Sequence, residues 1–169
     1  IVSSENSVYV YNADGTEFFS RSIDDIDGEK VILSGSPVAG DLDGDGYPEI
    51  ILASNFGLFV VYRDSSYELK HEMDDCPLPP VLIDDDAIIF VEYLELAEEF
   101  QLKALAGDGS DYWPATILPD SVSAVPPVLW NDFIVVPIDS SEAGSSLFLY
   151  NGSESHTIEL PAQVSGYQM

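Results

Sequence analysis

Asp41, Asp43 and Asp45 stand two residues apart, and Glu49 follows four residues later. Crowding so many carboxylates into one short stretch is costly unless a cation neutralises them. The donors are all oxygen, with no thiol or imidazole nearby, which suits a hard ion and makes zinc, copper and iron poor fits. Calcium takes about 6–8 oxygen ligands from carboxylates, carbonyls and water. The odd positions of the loop offer the Asp41, Asp43 and Asp45 carboxylates, the Tyr47 backbone carbonyl and the Glu49 carboxylate. Gly44 and Gly46 allow the sharp turns that such a loop needs. Magnesium dehydrates reluctantly and seldom uses an all-protein cage, so the expected cofactor is one Ca2+ per chain.

An EF-hand would require a bidentate Glu at the twelfth loop position and a helix on each side. Counting from Asp41, that position is Leu52. The flanks, Ser36-Pro37-Val38-Ala39 and Ile50-Ile51-Leu52-Ala53, read as strands, so the loop joins two strands.

The elements that must hold this loop repeat along the chain. Val8-Tyr9-Val10-Tyr11, the turn Asn12-Ala13-Asp14-Gly15 and Glu17-Phe18-Phe19-Ser20 form a hairpin pattern. The pattern returns at Leu58–Tyr62, Leu102–Leu105 and Leu147–Tyr150; aligning Tyr11, Tyr62, Leu105 and Tyr150 gives spacings of 51, 43 and 45. A second unit runs out of phase with the first. Pro37-Val38-Ala39, Pro80-Val81-Leu82 and Pro127-Val128-Leu129 each lead through a polar turn into an apolar strand, at spacings of 43 and 47. A period of about 45 residues with four short strands per unit is the pattern of a propeller blade. The expected fold is all-β: a β-propeller arc of about three and a half four-stranded blades with fourteen strands. Its approximate repeats are 1–35 (partial), 36–78, 79–125 and 126–169 of one domain. Leu94–Phe100 has helical composition but is expected to be a turn between strands. Asp84-Asp85-Asp86 and Asn131-Asp132 occupy the later loop positions without glycine or alternating ligands, so one metal site is expected.

The stretch from Pro37 to Ser54 resembles an FG-GAP/VCBS-type repeat, the kind found in integrin α-subunit propellers and many secreted bacterial proteins. The close match covers the loop and its flanks; elsewhere only the strand and turn pattern agrees. The resemblance implies that the loop joins the innermost strand to the next and binds calcium through Asp41, Asp43, Asp45, the Tyr47 carbonyl and Glu49. Glu49 stands where that family often has Asp, and it is long enough to reach the ion.

Thirty-one acids against five bases give a formal net charge of −26. That balance argues against nucleic-acid and anionic-membrane partners, which need Lys and Arg. No apolar run reaches the roughly 18 residues of a membrane span. The chain is expected to be a mature product or a piece of something longer. Cys76 is a lone thiol with no disulfide partner in the chain. His71 and His156 are expected at the surface, and Trp113 and Trp130 in core packing in preference to sugar stacking. No nucleophile–base constellation emerges, so a non-catalytic role is expected. The leading expectation is an extracellular or cell-surface calcium-braced module with a structural, adhesion or ligand-binding role. Its partners would be a protein or carbohydrate, or further copies joined edge to edge. Two alternatives are an accessory segment of a secreted enzyme, such as a polysaccharide lyase or peptidase, and a self-assembling filament or surface-layer subunit.

Overall fold

The computed structural model describes residues 1–73, 81–83, 86–119, 122, 126–140 and 144–160. Among them are fifteen strands and no helix. They form four antiparallel sheets, each a simple meander. The first contains β1 (Val2–Ser4), β2 (Ser7–Tyr11) and β3 (Glu17–Ser22). The second contains β4 (Leu33–Gly40), β5 (Glu49–Ser54), β6 (Gly57–Val61) and β7 (Tyr67–Glu72). The third contains β8 (Val81–Ile83), β9 (Ala87–Leu94), β10 (Glu99–Ala106) and β11 (Asp111–Ile117). The fourth contains β12 (Val128–Trp130), β13 (Phe133–Ser140), β14 (Gly144–Tyr150) and β15 (Ser155–Glu159). The sequence reading counts fourteen strands. The fifteenth is β1, which pairs with β2 as β5 pairs with β6, closing at Ser4–Ser7 and Ser54–Gly57. Leu94–Phe100 is the end of β9, a turn and the start of β10, as expected.

Side-chain alternation explains why the central strands read as unbroken apolar runs. Successive residues of a strand point to opposite faces. On β5, Ile50 and Leu52 pack toward the first sheet, while Ile51 and Ala53 pack toward the third. On β6 the division is Phe59 and Val61 against Leu58 and Val60. On β9, Ile88 and Phe90 face the second sheet, and Ile89 and Val91 face the fourth. The four sheets are therefore stacked in sequence order through three apolar seams. Both faces of the second and third sheets are buried, so every residue of β5 and β6 is buried.

The repeat is visible in backbone hydrogen bonds. Ile23, Met73, Leu118 and Leu160, each just past an outer strand, donate their N–H to the carbonyls of Asn6, Phe56, Phe100 and Ser145. At the opposite end, Asn12, Tyr62, Ala106 and Asn151 donate across their turns to Thr16, Ser66, Ser110 and Glu154. Inside three of these turns Asp14, Asp64 and Asp108 accept from the hydroxyl and the backbone N–H two residues on. Those bonds, the hydroxyl one foremost, hold the three carboxyls below their ordinary value. The turn bonds also correct the sequence alignment by one residue. Tyr11, Leu105 and Tyr150 correspond to Val61, whereas Tyr62 opens the turn. Shared aromatic character points to Tyr62, but a one-residue slip would reverse the faces of the strand, and Val61 must face the first sheet.

Candidate metal centre

The acidic loop connects β4 to β5, and two sheet residues frame it through the Gly40–Glu49 pair. Its two glycines adopt left-handed backbone, φ +75° at Gly44 and +87° at Gly46. Each turn is fixed by a carboxylate that caps a loop N–H. Asp41 Oδ2 accepts from Gly46 N at 3.0 Å, Asp43 Oδ1 from Asp45 N at 3.0 Å, and Glu49 Oε2 from Leu42 N at 2.7 Å. One oxygen of each carboxylate is thus used to shape the loop, which leaves the other available.

Asp41, Asp43 and Glu49 each bring a ligand oxygen within 4.8 Å of the other two. Three carboxylates at that spacing repel by roughly 3–4 kcal/mol per pair at an effective dielectric of about 20. Glu49 is only 3% exposed. Burial, followed by the charges of Asp43 and Asp45, raises its pKa in spite of the Leu42 hydrogen bond. Asp41 Oδ1 is closed to solvent and has no hydrogen-bond partner. A buried carboxylate oxygen without a donor costs free energy that a bound cation would recover. The donor set therefore fits a hard divalent ion.

Asp45, another expected ligand, lies on the same loop outside that triangle, and Tyr47, expected to offer its backbone carbonyl, follows it on the loop. Asp45 Oδ1 accepts from Tyr47 N at 2.8 Å. The Tyr47 ring is half exposed, with the Arg63 guanidinium 3.8 Å from its centroid. Such a cation–π contact at an exposed site contributes about 0.5–1 kcal/mol. Of the later loop positions, Asp84 and Asp85 lie outside the described residues, as does Cys76.

Sequence reasoning missed what anchors the loop. Leu42, between two of the acids, is buried and packs with Ile51, Val60, Phe90 and Leu105 in the seam between the second and third sheets. Its backbone carbonyl lies against Gly107, at the top of the third sheet. A Cβ added to Gly107 would sit 1.9 Å from that oxygen, so no other residue fits there without moving the loop. The signal was one apolar residue in an otherwise acidic stretch.

The same seam holds a polar cluster. Glu92 is 7% exposed. Its Oε2 accepts from Gln101 Nε2 at 2.8 Å and lies 3.7 Å from Lys103 Nζ, while Oε1 lies 3.6 Å from His71 Nε2. Burial pushes Glu92 up, but the close contact with His71, the Gln101 hydrogen bond and the nearby charges outweigh it, and the net shift is downward. His71 is therefore not the surface residue expected from sequence. It is half-buried on β7, with its ring 5.3 Å from that of Phe90 on β9. His156 is exposed as expected. Trp113 packs against the apolar seam of the third and fourth sheets, whereas Trp130 departs from expectation and is 60% exposed. β12 ends at Trp130 and has no buried residue to cover the ring.

No protein-family model matches the chain, and no curated protein matches it in sequence.

Proposed function

We propose that the chain is an arc of an FG-GAP/VCBS-type β-propeller in which Ca2+ braces the second sheet against the third. Its role is that of an extracellular adhesion or ligand-binding module, non-catalytic in itself. The observation that carries the metal is the solvent-closed, unpartnered Asp41 Oδ1 beside Asp43 and Glu49. Asp41, Asp43 and Glu49 hold the ion, with Asp45 and the Tyr47 carbonyl completing the shell from the same loop. Calcium at that point neutralises the repulsion and fixes the segment that carries Leu42 into the seam.

The propeller reading is supported by four meanders stacked in sequence order and by turn bonds that recur from unit to unit. It is also supported by contact of the inner strands in series, β4 with β8 and β8 with β12. The extracellular assignment follows from the ion, because calcium is abundant outside cells. Thermal unfolding in chelator and in excess calcium tests the reading. Saturating calcium at a hundred times its Kd should add about 2.7 kcal/mol. Identical melting curves in the two conditions would overturn it.

A second reading is favoured by the outer faces of the end sheets. Val2 and Tyr11 on the first sheet, and Val128 and Ile158 on the fourth, are each about half exposed. Two arcs joined through these faces would cover them. Sedimentation velocity over a wide concentration range should then show reversible association, and monomer throughout would exclude it.

A further inference from the structure

The fourth sheet turns from β12 to β13 in two residues, Asn131 and Asp132, at the position where the second sheet carries its acidic loop. Beside this short turn a cleft of about 220 Å3 opens between the third and fourth sheets. One wall is aromatic: Tyr112 and Trp113 from the start of β11, their rings 5.8 Å apart and edge to face. The opposite rim is polar: Asn131 and Asp132 from the turn, and Asn151 from the end of β14. Leu129 and Ile134 complete the lining.

The cleft has a counterpart between the first and second sheets. There the equivalent places hold Phe18, Phe19, Tyr47, Pro48 and Tyr62, and the lining is mostly apolar, with Arg63 its one cationic residue. The difference between the two follows from the turn. In the second sheet the long loop lines the gap with Tyr47 and Pro48, whereas in the fourth the two-residue turn lines it with a side-chain amide and a carboxylate.

The chemistry of the open cleft selects its ligand. No cationic residue lines it, and Asp132 makes it negative, so phosphates, sulfates and carboxylates are disfavoured. Drug-sized ligands occupy about 300–1,000 Å3, so this volume suits a single ring. Aromatic faces take C–H groups or another flat apolar surface. A carboxylate and two amides at the rim take a row of hydroxyls, since carboxylates only accept and amides both donate and accept. Asn151 spends its Oδ1 on Ser153 and Glu154 N–H groups, which fixes its orientation and leaves its NH2 without an acceptor among the described residues. The Trp113 indole N–H is likewise without an acceptor and closed to water. A ring with an apolar face and a hydroxylated edge is a pyranose.

We propose that this cleft is a saccharide site for one neutral or amino sugar residue. The sugar's C–H groups pack against Tyr112 and Trp113, and its hydroxyls bond to Asp132, Asn131 and Asn151. The exposed Trp130 beside the turn is placed to meet a second residue of a longer glycan. The proposal gives a chemical class to the ligand-binding role above but stands on a separate site from the metal.

The test is titration of the whole chain with the methyl glycosides of glucose, galactose, mannose and N-acetylglucosamine. Saturation-transfer NMR detects binding, and calorimetry gives the Kd. At least one glycoside should bind in the millimolar range. Asp132→Ala and Tyr112→Ala should each weaken binding by about tenfold or more, a change of about 1.4 kcal/mol. Both residues are exposed, so unchanged melting temperatures should show that the variants remain folded. Binding should persist in Glu49→Gln, which separates this site from the metal reading. The proposal is overturned if no glycoside binds the folded protein, or if binding is indifferent to both Asp132→Ala and Tyr112→Ala.

Discussion

The second and fourth sheets put the same place in the repeat to different uses. Both turn from their first strand to their second at the same end of the stack. In the second sheet the turn is long and acidic, and Leu42 drives it into the seam with the third sheet. In the fourth it is the bare pair Asn131-Asp132, which gives the cleft beside it a polar rim. A long turn at this position must be held down, here by a buried leucine and by carboxylates that cap its N–H groups. A short turn holds itself through the hairpin register, Trp130 to Phe133, and leaves its polar side chains to line the gap. One repeat position thus supports a brace in one sheet and a rim in another.

Substitutions can separate these uses. The largest effect is expected from Leu42→Ala, which empties a packed position in the seam and should cost about 3 kcal/mol. The loss should appear in chelator as well as in calcium, because the packing does not need the ion. Urea unfolding measures it, and a loss seen only in calcium would show that the leucine acts through the metal alone.

Glu92→Gln comes next, at about 2 kcal/mol near neutral pH, because it leaves Lys103 and His71 facing a neutral group in a half-buried site. The pH dependence has a definite sign. Glu92 is lowered from its ordinary value of 4.5 in the folded chain. Its contribution is therefore fully present above that value and is lost as pH falls through the lowered folded one. The wild-type chain should lose stability on acidification below about pH 4.5, and Glu92→Gln should flatten that limb. An unchanged acid limb would show that the cluster is not a source of acid sensitivity.

Glu49→Gln should reverse sign with conditions. In chelator near neutral pH it removes a buried like charge and should raise stability by about 1 kcal/mol. In calcium it removes a ligand and should lower stability relative to wild type. Melting curves in both conditions decide this, and a loss in both would mean that the carboxylate serves the fold without the ion. The smallest effect is expected from Asp132→Ala, within about 0.5 kcal/mol in either condition, since the residue is exposed at a turn that closes without it.

The parts of this fold governed by local rules were legible in the sequence. Alternating Asp and Gly marked the long acidic loop, and apolar runs between polar turns marked the strands and a period near 45 residues. What depended on distant partners was not. Glu92 reads as one acid among thirty-one until β7 and β10 bring His71 and Lys103 to it. Tyr62 resembles Tyr11 and Tyr150, yet the turn bond that begins at its N–H places it one step beyond them. Trp130 has core character but sits on a three-residue strand with no buried position. Leu42 looks incidental between acids, and only the closeness of its carbonyl to Gly107 shows that the loop leans on the next sheet.

Residue-resolved amide hydrogen exchange with and without calcium tests the brace most directly. Calcium should slow exchange at Leu42, Asp45, Gly46 and Tyr47, whose N–H groups bond to Glu49, Asp43, Asp41 and Asp45. Protection should extend into the seam with the third sheet and leave the Asn131-Asp132 turn unchanged. No protection at the loop, or equal protection at both turns, would contradict the account.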